Sequence, residues 1–160
     1  MRAVWHFSFT VSDLDKAVEF YTDALGCVCV HRQEQSNAYT RSLVGYPDAR
    51  LRVAQIRIGD TPTPSGHHLE LVQYLTPRGT RGDINISNPG AAHLAFAVED
   101  LNAEYDRLRK LGVQFFSQPN VITAGINAGG AAVYFYGPDD IVHELVQPPT
   151  RPAIPEPGSA

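Results

Sequence analysis

From Val4 to Val11 the chain reads VWHFSFTV, and its apolar residues take every second position. Trp5, Phe7, Phe9 and Val11 fall on one face, and His6, Ser8 and Thr10 on the other, the period of a strand packed on one side. The period then changes. Leu14, Ala17, Val18, Tyr21 and Leu25 form a stripe at helical spacing, opened by Ser12 or Asp13 as N-cap and closed by Gly26. Alternation returns in HLAFAV, where Leu94, Phe96 and Val98 oppose His93, Ala95 and Ala97. A second helix follows, capped near Glu99 or Asp100, carrying Leu101, Tyr105, Leu108 and Leu111, and ended by Gly112. Further strands are predicted at 51–58, 68–74, 131–136 and 141–147. The polar stretch 31–50 is too long for an idle turn and reads as a functional connection.

These patterns are two copies of one. His6 matches His93, Phe9 matches Phe96, Val11 matches Val98 and Asp13-Leu14 matches Asp100-Leu101, all 87 positions apart. Gly26 and Gly112 stand 86 apart, so the second helix is one residue shorter. The tetrapeptide ELVQ ends a strand in each copy, with Glu70 and Glu144 at its head, 74 apart. Each half reads as a His-strand, a helix, further strands and a Glu-strand. The expected organisation is an N-terminal βαβββ module at 1–75, a Gly/Pro-rich linker at 76–90, a C-terminal βαβββ module at 91–148, and a flexible proline-rich tail at 149–160. The fold class is α+β.

Bulk properties narrow the function. In 160 residues, 43% are hydrophobic and the formal charge is −4, the profile of an ordinary globular protein with no electrostatic case for nucleic acid. No apolar stretch approaches the ~20 residues of a membrane span. Cys27 and Cys29 sit two apart on one strand and read as free thiols, which fits a reducing, cytoplasmic setting.

The matched acids and imidazoles carry the chemistry. A glutamate ahead of Leu-Val is costly to bury without a partner, and each has a histidine at the start of its own half. His6, Glu70, His93 and Glu144 make a two-nitrogen, two-oxygen donor set suited to one divalent ion, with Ni, Co, Mn, Zn or Fe all compatible. Paired about a pseudo-twofold axis, the halves would bring the four onto one concave surface. His31, His67, His68 and His143 compete for the same role. His67 and His68 follow TPTPSG and read as turn residues, and His143, beside Glu144, is expected on the opposite face. Tyr39, Arg41, Tyr46 and Arg52, with Asn127 and Tyr134, are candidate groups for orienting an oxygen-rich substrate.

The segments HFSFTVSDLDKAVEFYTDALG, HLELVQY, AHLAFAVEDLNAEYDRLRKLGV and YFYGPDDIVHELVQ resemble the vicinal oxygen chelate superfamily, which includes glyoxalase I, extradiol dioxygenases and bleomycin-resistance proteins. The resemblance implies a cupped, mostly antiparallel sheet around a divalent metal held by His6, Glu70, His93 and Glu144. HRQEQSNAYTRSLVGYPDA, LRVAQIRI and ITAG…GGAAVYF look like glyoxalase-like members that include valiolone-type cyclitol epimerases. The activity so implied is metal-dependent isomerisation or epimerisation next to a carbonyl of a sugar-like or cyclitol ketone, through a metal-bound enediolate, with Glu70 or Glu144 as base. A homodimer is the expected assembly. Three other activities fit the superfamily: a glyoxalase I-type lactoylglutathione lyase, an extradiol-type dioxygenase, and a non-catalytic small-molecule binder. The fourth ligand argues against the dioxygenase, and the intact donor set against the binder.

Overall fold

A computed structural model describes residues 1–150; most of the expected tail lies outside the described residues. The chain divides into two compact units between Asp83 and Ile84, inside the Gly/Pro-rich segment. Among the described residues each unit holds a four-stranded sheet with a helix on one face.

The first unit contains β1 (Phe7–Thr10), α1 (Leu14–Glu19), β2 (Val28–Gln35), α2 (Ala38–Val44), β3 (Arg50–Arg57) and β4 (Leu69–Thr76), in sheet order β1-β4-β3-β2. β1 runs parallel to β4, and the other pairs are antiparallel. The second unit contains β5 (His93–Ala97), α3 (Leu101–Lys110), β6 (Asn120–Val121), β7 (Ala131–Tyr136) and β8 (Val142–Gln147), ordered β5-β8-β7-β6 with the same pairing senses. The α+β architecture and the mostly antiparallel sheets are as the chain pattern and the resemblance together imply.

Both long helices begin as their sequences require. Asp13 Oδ1 accepts hydrogen bonds from the Asp15 and Lys16 amides at 3.1 and 3.2 Å, and Asp100 Oδ1 accepts one from Ala103 at 3.0 Å. The ELVQ glutamine has a task of its own in each half. Gln73 Nε2 donates to the Ser12 carbonyl at 2.7 Å, and Gln147 Oε1 accepts from the Leu101 amide at 2.9 Å. Each glutamine thereby ties the start of the helix to the strand that comes last along the chain in its unit, β4 or β8.

The extra residue of the first helix is absorbed in its last turn. Phe20–Ala24 wind as a π-turn, with the Leu25 amide bonded to the Phe20 carbonyl at 3.3 Å, before Gly26 ends the helix at φ +66°. α3 has no such turn and ends at Gly112.

Leu14, Ala17, Val18 and Tyr21 are buried against β3 and β4 beside Ala54, Ile56, Leu69 and Leu71. In the second unit Leu101 and Leu108 are buried, as are Val133, Phe135 and Leu145. Three expectations are corrected. Trp5 and Phe7, expected to pack, are 60% and 37% exposed, because β1 is an edge strand and α1 packs on β3 and β4 instead. Leu111 caps the end of α3 and is also exposed. The segment 31–50 is not one long connection: β2 continues to Gln35, and α2 follows, capped by Asn37 and stopped by Gly45 at φ +76°. As an edge strand exposed along most of its length, that part of β2 needs no apolar alternation.

Candidate metal centre

In the first unit the register sets Ser8 beside Glu70 and Glu70 beside Gln55. Glu70 therefore lies opposite Leu71, which is buried under α1, and shares the outer face with Ser8 and with His6 just ahead of β1. His6 Nε2 stands 3.8 Å from Glu70 Oε2, both side chains roughly three-quarters buried at 28% and 21% exposure.

The second unit repeats the arrangement. Ala95 pairs with Glu144, and Glu144 with Tyr134, so these side chains share one face with His93. His93 Nε2 lies 3.3 Å from Glu144 Oε2, and the Tyr134 ring meets the His93 ring edge-on at 5.1 Å. Burial first, then the Glu144 charge, raises the Tyr134 phenol, so it keeps its proton. His143 faces the other way, fully buried between Phe96 and Phe135.

Each unit thus sets an imidazole Nε2 against a carboxylate Oε2. The chemistry of the pair suits a cation: two donors each about 2.1 Å from one ion stand about 3.0–3.4 Å apart. The 3.3 Å pair falls in that range and the 3.8 Å pair slightly beyond it.

One member of the first unit's group lies where a turn residue was expected. His67 is 2% exposed, with Nε2 3.2 Å from His6 Nδ1 and the two rings tilted by 31° at 5.1 Å between centroids. His6, His67 and Glu70 offer donor atoms all within 4.8 Å of one another. The TPTPSG turn delivers this ring: Gly66 adopts φ +77°, and the Thr63 and Ser65 hydroxyls reach the His67 carbonyl at 2.9 and 2.7 Å. The only sequence signal was a doubled histidine directly ahead of a Glu-strand. His68 spends its Nδ1 on the Ile58 amide at 3.1 Å, and His31, on exposed β2, pairs in register with Gln55.

The candidate substrate groups are spread more widely. Tyr134 alone is placed against a histidine–glutamate pair. Tyr46 meets Tyr74 edge-on at 6.2 Å, and Tyr74 lies on the Glu70 side of β4. Tyr39 and Arg41 are exposed on α2, and Asn127 is exposed in the turn before β7. Arg52 lies on the α1 side of β3, opposite Glu70. Its guanidinium bonds Asp15 at 2.9 and 3.0 Å and holds that carboxyl below its ordinary range, mainly by hydrogen bonding.

Residues 3–145 match the family model described as Glyoxalase/Bleomycin resistance protein/Dioxygenase superfamily. A 2-epi-5-epi-valiolone epimerase from Actinomyces sp is 36% identical over 151 residues, covering 92% of this chain and 80% of that protein. A probable lactoylglutathione lyase from Synechocystis sp. is 26% identical, covering 89% of this chain and 92% of the other. Among solved structures, a glyoxalase family protein from Bacillus cereus superposes with TM-score 0.76 at 22% identity, covering 93% and 95% of the two chains.

Proposed function

We propose, for a chain that belongs to the Glyoxalase/Bleomycin resistance protein/Dioxygenase superfamily, that it is an epimerase inverting a carbon next to the carbonyl of a cyclitol or sugar-like ketone. The observation that carries this reading is the repeated Nε2–Oε2 pair, one per unit, in a chain 36% identical to a valiolone epimerase. His6, Glu70, His93 and Glu144 would together hold one divalent ion.

A bound ion supplies Lewis acidity, drawing charge from a carbonyl oxygen and acidifying the neighbouring C–H. The protein's residues do the rest. One of Glu70 and Glu144 takes the proton on a carboxylate oxygen from one face of the carbon, and the other delivers a proton to the opposite face of the same carbon, which inverts it. Tyr134, protonated and ring-to-ring with His93, would donate a hydrogen bond to a substrate oxygen. Tyr39, Arg41, Tyr46 and Asn127 are the further groups that would orient the hydroxyls.

The test is metal analysis of the pure protein, then proton NMR of α-hydroxy ketones in deuterium oxide with and without chelator. Deuterium entering next to the carbonyl only in the metal-loaded protein is the expected result; a metal-free protein without exchange would overturn the reading. The likeness to the Synechocystis lyase favours a second reading, glyoxalase-type isomerisation of a glutathione hemithioacetal. Including that substrate in the panel separates the two, since proton return to the adjacent carbon gives a thioester rather than an epimer.

A further inference from the structure

We propose that His67 is a positioning residue, which fixes the ring and tautomer of His6 so that its Nε2 lone pair faces Glu70; this rests on the reading of His6 as a metal ligand. The proton positions follow from the hydrogen-bond network. His67 Nδ1 lies 3.2 Å from the Ser65 carbonyl oxygen. A carbonyl only accepts, so Nδ1 carries the ring proton and the neutral ring has its lone pair on Nε2. That lone pair is 3.2 Å from His6 Nδ1, which therefore donates. His6 is left with a lone pair on Nε2, aimed at Glu70 Oε2 across 3.8 Å. Lone pair against carboxylate is repulsive unless a cation lies between them. The relay therefore prepares the first unit to receive one.

The repeat argues that His67 stands behind the site rather than in it. Within each unit the same two atoms, Nε2 and Oε2, face each other. At the repeat offset of 74, His67 corresponds to Ile141, which has no donor atom. The ring is also 2% exposed, whereas the His6 and Glu70 side chains are 28% and 21% exposed and open to a small molecule. Second-layer partners that hold a ligating imidazole in this way typically change metal affinity ~10–100-fold when removed. The Ser65 hydroxyl, 2.5 Å from the Trp5 carbonyl and 2.7 Å from the His67 carbonyl, braces the turn against the residues that lead into β1, next to His6.

The experiment has two readouts. Long-range nitrogen–proton NMR correlations on metal-free, histidine-labelled protein report which nitrogen of neutral His6 bears the proton. Competition titration with Co(II) reports affinity, and its visible absorption reports the ligand set. Wild type is expected to show His6 protonated on Nδ1. H67L should populate the other tautomer and weaken Co(II) by about 10–100-fold with an unchanged absorption band shape. H67Q, whose amide oxygen still accepts, should recover most of that loss. The proposal is overturned by His6 protonated on Nε2 in wild type. It is equally overturned if H67L, folded by circular dichroism, keeps the wild-type tautomer and affinity. A changed absorption spectrum in both H67L and H67Q would make His67 a ligand and also overturn it. If wild type takes up no Co(II), the metal reading fails, while the tautomer measurement still decides what His67 does to His6.

Discussion

In the first unit the imidazole that faces Glu70 is backed by a second, buried imidazole; in the second unit the one that faces Glu144 has the Tyr134 ring beside it. The facing atoms are the same, Nε2 and Oε2. What has diverged is everything behind them, down to Ile141 standing where His67 would repeat. The helix ties are likewise preserved in kind but not in detail: Gln73 donates to the carbonyl before its helix, and Gln147 accepts from the first amide of its own. Duplication thus retains the positions of the histidine–glutamate pair in each half and frees the groups behind them, so the two pairs are expected to respond unequally to substitution.

The largest effects should come from the glutamates. E70Q and E144Q each preserve shape and remove one candidate acid–base carboxylate. Each is expected to lower solvent-deuterium exchange at least ~100-fold, the lower end of what a positioned general base contributes, with wild-type circular dichroism. Near-normal exchange in both would sink the assignment; a much larger loss in one would name the base. Mixed in equal amounts, the two inactive variants would recover about a quarter of wild-type activity if sites are shared between two chains, and none if each chain closes its own. Next in size are the histidines. H6A and H93A should each lose the ion, read as disappearance of the metal-induced rise in melting temperature. In wild type that rise corresponds to about 2.7 kcal/mol at a hundredfold excess over Kd. A variant of His93 that still binds as wild type would confine the ion to the first half. Y134F keeps the ring against His93 and removes only the hydroxyl. Roughly a tenfold fall in kcat/KM with unchanged metal affinity is expected, the worth of about one hydrogen bond; an unchanged kcat/KM would remove Tyr134 from the substrate's surroundings.

Where one period ran uninterrupted, the chain could be read directly. That His6 shares a face with Glu70, and His93 with Glu144, was legible because strand alternation fixes which face each takes, and the same parity placed His143 with Phe96 and Phe135. α2 was overlooked although Asn37 and Gly45 mark both its ends, because Thr40 is buried by contacts its local pattern does not announce. The shift from 87 to 86 between the copies announced one surplus residue in the first helix, but not that it would be taken up as a π-turn. His67 was the serious omission. Its burial depends on the turn at Thr63–Gly66 folding back onto the residues before β1, and no period along the chain encodes a contact across 61 positions. Arg52 shows the converse: a plausible substrate group by type, it is engaged by Asp15 on the far side of the sheet.

The smallest effect concerns the strand after the helix, where Cys27 and Cys29 of the first half occupy the places of Val113 and Phe115 in the second. Cys27 is 7% exposed, and burial pushes its thiol up to about 11. A raised thiol stays protonated at ordinary pH; at pH 8 only about one molecule in a thousand carries the reactive thiolate. Iodoacetamide at pH 8 should therefore modify the half-buried Cys29 well ahead of Cys27, and mass spectrometry of peptides sampled over time reads the order. Raising the pH should speed Cys27 alkylation nearly tenfold per unit until the thiol titrates. The sign for stability runs the same way. The unfolded chain gives up this proton at lower pH than the folded one, so Cys27 withdraws stability as pH climbs from about 9 towards 11. C27V, which borrows the second half's own residue, should abolish that loss and change stability at neutral pH by under about 1.5 kcal/mol. Equal alkylation of the two cysteines at pH 8 would mean that the strand opens locally, and that the first half is the less rigid support for its histidine–glutamate pair.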